Sequence, residues 1–318
     1  MNQPIKSPIN YTGNKYRLLA QFRQFLPEKT NVFVDLFCGG ATVGFNVNAD
    51  KIVLIDNNQR VISLLEFLAK ENIKDIINGI ESLIETYNLS YSRKNTYKFY
   101  KDNGYVIGNN GLKEYNKEGY LKLRNDYNNI ANKDSFDANV KLYTLMAYAF
   151  NNDIRFNRDG LFNLPVGKTD FNNNNYNKLI AYNDRAKKIN YEFICGDFKD
   201  QKIRDKVLEA SFVYCDPPYL ITDAVYNEQN GWNSEDERSL LSLLDEVHNK
   251  GISFALSNVL QKKGAENSIL KEWLNKNGHC KNNIVYHYRS SSYNKKARDA
   301  AEEEVLITNR RPDVTTNQ

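Results

Sequence analysis

Two short apolar runs end in residues that cannot extend a β-ladder, and this pair of features confines the fold more than any other. Val32-Phe-Val-Asp-Leu-Phe runs into Cys38-Gly39-Gly40, and Ser211-Phe-Val-Tyr-Cys runs into Asp216-Pro217-Pro218-Tyr219. Apolar runs of this length without alternation are strands buried on both faces, the kind found in parallel sheets. Glycine frees the backbone and proline removes its N–H, so each strand stops at its carboxyl end. Lys51-Ile-Val-Leu-Ile-Asp, Ile189 to Cys195 and Ile252-Ser-Phe-Ala-Leu-Ser read as further strands. A period of 3.6 predicts helices over 61–70, 73–87, 142–150, 176–188 and 234–250, with a short one after the glycine turn. The helix over 234–250 should open on a capping box of Ser234 and Glu237 and stop at Gly251. Strands alternating with helices predict an α/β fold with a doubly wound, mostly parallel sheet.

Residues 90–135 break that alternation. They are polar and tyrosine-rich, with nine Lys/Arg against four Asp/Glu between Arg93 and Lys133. The whole chain has 43 Lys+Arg against 39 Asp+Glu, so most of its positive excess sits in this insert. Further on, Asn157-Arg-Asp-Gly between Ile154/Phe156 and Leu161/Phe162 predicts a hairpin over 154–167, because Asp-Gly tolerates positive φ. Asn172 to Asn175 reads as a solvated loop. The four cysteines form no C-x-x-C pair, which argues against a zinc site and a disulfide framework. No basic-then-apolar leader and no apolar run of spanning length is present, so a cytoplasmic protein without a membrane anchor is expected.

The chemistry gathers where strands end. Asp35 lies inside the first strand, and Asp56 ends the second at the distance expected of an acid that accepts ribose hydroxyls. The turn between them is Gly39-Gly40-x-x-x-Gly44, which is not a dinucleotide fingerprint. A carboxylate facing such a turn repels a diphosphate and attracts an ammonium group. A ligand with a ribose and an amino-acid end fits, and S-adenosylmethionine is one. At the other strand end, the prolines lock the turn so that the Asp216 carboxylate and the Pro217 carbonyl form two fixed acceptors. An exocyclic amino group has two hydrogens to give them, and Tyr219 offers a face for a purine. This chemistry needs no metal, cysteine or histidine. His248, His279 and His287 have no nucleophile beside them in the sequence and read as structural or solvated.

Tyr11-Thr-Gly-Asn-Lys-Tyr, Asp35-Leu-Phe-Cys-Gly-Gly and Asp216-Pro-Pro-Tyr stand in the order of the adenine-specific DNA methyltransferases related to bacterial and phage Dam, and the chain resembles that family over nearly its whole length. Arg155-Phe-Asn-Arg-Asp-Gly-Leu-Phe-Asn-Leu-Pro-Val-Gly-Lys and Glu303-Glu-Val-Leu-Ile-Thr-Asn extend the likeness. The resemblance implies a Rossmann-like methyltransferase sheet formed by 1–60 and 171–318. A helical, hairpin-bearing recognition domain is then inserted at 61–170. By the same resemblance, Tyr11 and Lys15 belong to the segment that closes over the cofactor, and Phe37, Gly39 and Gly40 to the turn beneath its methionine part. Asp56 matches the ribose acid, Asp197 the acceptor of the cofactor's adenine amino group, and Phe198 a ring beside it. Asp216 and Tyr219 match the catalytic acceptor and the stacking ring. Two departures are Asn14, where glycine is usual, and an insert at 90–135 longer than in the compact phage enzymes.

The activity so implied is transfer of methyl from S-adenosylmethionine to the 6-amino group of a flipped adenine in double-stranded DNA, leaving S-adenosylhomocysteine. The likeness to Dam suggests GATC as the site. DNA contacts are expected from Arg93, Lys94 and Arg124 in the insert, from Arg155, Asn157, Arg158 and Lys168 around the hairpin, and from Lys295 and Lys296 in a late basic loop. Tyr226 to Trp232 reads as a lid over the flipped base. The expected partners are DNA and a cognate endonuclease acting separately on the same site, with the chain a monomer or weak dimer. Two alternatives stay open: an amino methylase of cytosine, which usually carries serine in place of Asp216, and a non-catalytic DNA-binding regulator on the same scaffold.

Overall fold

A parallel ladder forms wherever the apolar runs predicted one. The structure, a computed structural model, describes residues 3–11, 13–221, 231–262, 264–284 and 303–310. The late basic loop with Lys295 and Lys296, most of the expected lid and His287 lie outside the described residues. The chain divides into two compact units. A sheet unit comprises Lys15–Cys38, Asn46–Asn57 and Asn190–Gln318; a helical unit comprises Met1–Asn14, Gly39–Phe45 and Asn58–Ile189.

In the sheet unit the strands are β1 (Thr30–Leu36), β2 (Ala49–Asp56), β3 (Tyr191–Cys195), β4 (Phe212–Cys215), β5 (Ser253–Lys262), β6 (Ala265–Glu266), β7 (Cys280–Asn283) and β8 (Glu303–Thr308). The order is β3-β2-β1-β4-β5-β8-β7, with β6 paired to β5. The first five in that order run parallel, and β8 joins β5 and β7 antiparallel. The register puts Val34, Val53 and Val213 in one row and Leu36, Ile55 and Cys215 in the next. With Phe254, Leu256, Val305 and Ile307 they face helices α8 (Gln201–Leu208), α9 (Ser234–Asn249) and α10 (Ser268–Asn277) in one continuous core. Burying each such side chain contributes about 1.5–3 kcal/mol. The other face carries Phe33, stacked on Phe212 at 5.5 Å, and Tyr214, packed against Phe22 of the short α1 (Leu19–Phe22).

The start of α9 departs from expectation by one residue. Asn233, not Ser234, is the cap: its side chain accepts from the N–H groups of Glu235 and Asp236, and Asp236 reaches back to the Asn233 N–H. Asparagine caps at least as well as serine, and an aspartate three residues on closes the same box. Gly251 ends the helix at φ +76, as predicted. The helix expected after the glycine turn is only a single 3-10 turn, Gly44–Asn46. All four cysteines are free thiols.

The helical unit contains α2 (Gln59–Lys70), α3 (Ile73–Thr86), α4 (Ser92–Asp102), α5 (Lys113–Asn129), α6 (Phe136–Tyr148) and α7 (Asn173–Ala186). Helix α6 begins six residues before its apolar period, because Ser135 caps it by accepting from Ala138 N–H. The Asn172 to Asn175 run is not a loop. Asn172 caps α7, accepting from Asn174 and Asn175 N–H, and the other three asparagines form its first turn. Helix α4 breaks at Thr96 (φ 64), whose hydroxyl caps the second half through Phe99 N–H.

Helices α4 and α5 have no clear apolar period, and polar groups organise them instead. Along α5, Asn116, Tyr120, Arg124 and Asn128 stand four residues apart and so share a face. Asn116 binds both the N–H and the hydroxyl of Ser90, while Tyr120 and Arg124 donate to the Leu164 carbonyl. Asn128 exchanges two hydrogen bonds with the Phe162 backbone. The predicted hairpin is therefore held against α5 by its own main chain. Its strands meet at the Phe156–Phe162 and Ala149–Val166 bridges, with Gly160 at φ +72 in the turn. Just beyond it, buried Asp170 accepts from both Ser90 and Ser92 hydroxyls and from Ser92 N–H, tying the hairpin's exit to the start of α4. Among the described residues, no helix is long and apolar enough to cross a membrane.

Tyr120, Tyr127, Tyr143 and Tyr148 are among the buried tyrosines of this unit, and burial disfavours the phenolate. It lifts Tyr127 to about 12, and Tyr120, Tyr143 and Tyr148 higher still. Unfolded tyrosines ionise near ~10. Above that pH the unfolded chain releases protons that the folded chain keeps, so stability present below pH ~10 is lost as pH rises. The loss should be about 1.4 kcal/mol per pH unit for each tyrosine, or about 5.5 per pH unit for the four, across the window from pH ~10 to ~12. Urea unfolding along a pH series checks this. A flat profile would mean these hydroxyls are not sequestered in the fold.

Candidate active site

Strand β1 hands on to β2 on one side of the sheet and β4 to β5 on the other, so the winding reverses between β1 and β4. Open α/β sheets bind ligands outside the carboxyl ends of their strands at such a point. Asp216 is the first residue beyond β4, and its N–H points to the Leu36 carbonyl of β1. Each carboxylate oxygen has a partner. Oδ2 is 2.9 Å from Lys15 Nζ, and Oδ1 accepts from the Tyr219 hydroxyl at 3.0 Å. The two prolines between Asp216 and Tyr219 hold that turn rigid, bringing the phenol back onto the acid.

Beside them lies Glu304 of β8, with Oε1 3.9 Å from Lys15 Nζ and 3.4 Å from the Tyr219 hydroxyl. Ser257 of β5 is 3.0 Å from the same hydroxyl. The phenol has one hydrogen, directed at Asp216, so Ser257 is the donor to its oxygen. Burial, then Asp216 and Glu304, push the Tyr219 pKa well above its ordinary value, so it remains a donor at any physiological pH. Lys15 is itself buried, 5.2 Å from the Tyr219 ring centroid. Sequence reading placed Lys15 with the cofactor-closing segment; in the structure it is bound to the carboxylate expected to catalyse. Glu304 and Ser257 were not among the expected site residues, although an acid inside a strand as apolar as Val305-Leu306-Ile307 was a usable signal.

The remaining acids line the same edge. Asp35 and Asp56 are buried, and both raise the pKa of the buried Cys38 thiol, after burial itself. Asp35 and Asp216 act likewise on Cys215. This edge therefore carries a concentrated negative field with Lys15 set into it. Beyond β3, Asp197 accepts from Lys199 N–H, and Phe198 is buried beside it. The Phe37 and Phe198 rings meet at 5.4 Å. Phe37 has φ 68, a left-handed backbone that only a constrained turn holds in a residue with a side chain.

In the helical unit, Tyr11 lies over the glycine turn. A Cβ on Gly39 would come 2.7 Å from the Tyr11 ring, and one on Gly40 would come 2.8 Å from Ser7 Oγ. These glycines thus admit the chain's own amino-terminal segment, in addition to any ligand. Of the expected DNA contacts, Lys94, Arg155, Arg158 and Lys168 are exposed. Arg155 nonetheless donates from Nε to Asn163 Oδ1 at 2.9 Å, and three others carry structural bonds too. Arg93 lies 3.6 Å over the Tyr176 ring and donates to Tyr91, Arg124 braces the hairpin, and Asn157 Oδ1 accepts from Asp159 and Leu161 N–H to build the turn.

Residues 11–291 match the model of the D12 class N6 adenine-specific DNA methyltransferases. The chain belongs to that family. It is 38% identical over 315 residues to the type II methyltransferase M.FokI of Planomicrobium okeanokoites, covering 97% of this chain and 43% of that protein. It is 32% identical over 311 residues to the modification methylase StsI of Streptococcus sanguinis, covering 96% and 43%. With the DNA adenine methylase of Escherichia coli K12 it shares 25% identity over 299 residues, 93% and 92% of the two chains. This D12-class chain spans under half the length of the first two relatives.

The D12-class site depends on Lys15, since removing a buried cation leaves its carboxylates unpaired. Lys15→Met should cost about 3 kcal/mol of unfolding free energy. Adding Glu304→Gln should cost less than the sum of the two single changes, because the lost cation no longer needs to offset that charge. Denaturant titration of the four proteins measures the coupling. Strict additivity would show that Lys15 and Glu304 do not interact.

Proposed function

We propose that the chain transfers the methyl group of S-adenosylmethionine to the 6-amino nitrogen of an adenine turned out of duplex DNA. One observation carries this reading: in a chain of the D12 family, the Asp216 carboxylate is fixed at the switch point of a parallel sheet by Lys15 and Tyr219. The donor set fits the cofactor. Asp35 suits an ammonium group, Asp56 a ribose, and Asp197 with Phe37 and Phe198 a purine. When bound, the cofactor supplies an electrophilic methyl carbon on a sulfonium.

The residues of the chain do the rest by position. Each oxygen of a carboxylate has two lone pairs, so Asp216 can keep Lys15 and Tyr219 and still accept a hydrogen from an amino group. The Pro217 carbonyl accepts the other. Holding both hydrogens turns the nitrogen lone pair out of the ring's conjugation. The barrier falls through alignment and electrostatics, without a covalent intermediate; the thioether leaves, and the methylated nitrogen gives up one of its two hydrogens as a proton to Asp216 or to solvent. An amino group paired within the duplex cannot reach this corner, so the base leaves the stack at a cost of a few kcal/mol. The exposed Arg155, Arg158, Lys94 and Lys168 then serve the DNA backbone and base edges, with Asn157 shaping the turn that presents them. Similarity to a modification methylase supports a role in marking DNA alongside an endonuclease.

Incubation with tritiated S-adenosylmethionine and duplex DNA, followed by mass spectrometry of the nucleosides, tests this. N6-methyladenine is expected. Methylated cytosine, or DNA binding without transfer, would sink the proposal in favour of one of the two alternatives. Asp216→Ala should lower the transfer rate by at least ~10³-fold, while S-adenosylhomocysteine binds within a few-fold of wild type. Methylation by that variant at the wild-type rate would remove Asp216 from the mechanism.

A further inference from the structure

In the sheet unit, a third ring completes an aromatic triangle. Trp232, two residues before α9, lies 5.6 Å from Phe37 at 82° and 5.5 Å from Phe198 at 37°, while Phe37 and Phe198 are 5.4 Å apart. Phe198 is buried, whereas Phe37 and Trp232 are only partly so, which leaves the group an open side. The indole is also fixed in its plane. Its N–H donates to Glu237 Oε2 at 2.6 Å, and Glu237 Oε1 accepts from Asn258 at 3.1 Å and Asn267 at 2.8 Å. Glu237 is fully buried. Burying a carboxylate is costly, and neutral donors offset only part of that cost. Asn258 sits on β5 and Asn267 caps α10, so through Glu237 the sheet and α10 together set the angle of one half-exposed ring.

We propose that Trp232 is the third aromatic wall of a purine subsite that takes the adenine of S-adenosylmethionine, and that Glu237 is the positioning residue that holds it. This rests on the methyltransferase reading above. Sequence reading had assigned Trp232 to a lid over the flipped base. Its ring partners instead lie at the ends of β1 and β3, beside Asp197, an acceptor suited to an exocyclic amino group. Half-exposed aromatic faces stack a purine sequence-independently, by its π-face alone.

The test uses the full chain with S-adenosylhomocysteine as the probe, read by calorimetry and by intrinsic fluorescence. The chain has two tryptophans, so in a Trp273→Phe background the emission comes from Trp232 alone. If that variant does not fold, the difference between wild type and Trp232→Phe gives the same signal. The probe should change Trp232 emission in step with calorimetric saturation. Trp232→Ala should weaken probe binding about tenfold or more, the stacking loss expected for one base. Glu237→Gln places an amide hydrogen against one of three donors, freeing the indole. Its KM for S-adenosylmethionine should rise several-fold with a much smaller change in kcat, and its Trp232 emission should shift to the red.

Unchanged probe affinity in Trp232→Ala, or emission blind to saturating probe, overturns the proposal and leaves the methyltransferase reading intact. A rise in KM for DNA alone also overturns it, because the ring would then face the target base. Failure of the wild-type chain to bind the probe at all overturns both.

Discussion

A single buried ammonium set among carboxylates governs this protein's candidate site. Asp216, Asp35, Asp56 and Glu304 crowd one edge of a sheet, and Lys15 lies 2.9 Å from the first and 3.9 Å from the last. Lys15 faces both carboxylates and offsets the repulsion between their like charges. Tyr219 and Ser257 extend the arrangement as a relay: serine donates to phenol, and phenol donates to acid. The geometry of this corner is therefore set by hydrogen-bond polarity as much as by packing.

Parts of this could be read from the sequence because they depend on local rules. The central strands show as unbroken apolar runs, and Asp216-Pro-Pro-Tyr shows as an acid on a turn that proline stiffens. The hairpin shows through Asp159-Gly160, where positive φ is required. Other parts depend on partners far apart in the chain. Nothing around Lys15 says that it meets Asp216, and nothing around Trp232 says that Glu237 is buried. Helix α5 escaped for a different reason. Its inward face is Asn116, Gly119, Tyr120, Leu123 and Tyr127, bordered by half-buried Arg124 and Asn128, and a hydropathy period counts the three polar ones as outward-facing. Arg124 and Asn128 turn to the hairpin's backbone carbonyl and N–H groups and Asn116 to Ser90, beside the hairpin's own buried Phe162, Leu164 and Val166.

That polar bracing suits the role proposed for the hairpin. Its exposed side carries Arg155 and Arg158, while Phe162, Leu164 and Val166 are buried beneath. Side chains from α5 bond to its main chain and Tyr127 packs on Phe162, which fixes it without engaging its arginines. Asn157 spends its amide on the turn, on which Arg155 and Arg158 lie exposed. The polar residues of the insert thus divide into those that build the platform and those on its surface. Arg93, stacked on Tyr176, and Arg124, bound to Leu164, belong to the platform.

The acid-rich edge also bears on how a reaction here could turn over. Fixed carboxylates favour a ligand carrying a positive charge over one of the same shape without it. At an effective dielectric of about 20, a unit charge ~6 Å from a carboxylate is stabilised by roughly 3 kcal/mol. In the proposed reaction the sulfonium loses its charge when its methyl group leaves. The same acids that help to seat the cofactor therefore hold the product less firmly, while the aromatic faces of Phe37 and Phe198 treat the two alike. Recognition of shape and recognition of charge are thus carried by different residues. Only the charge-reading set, Asp35, Asp56 and Asp216 with Lys15, changes its hold as the bond is made.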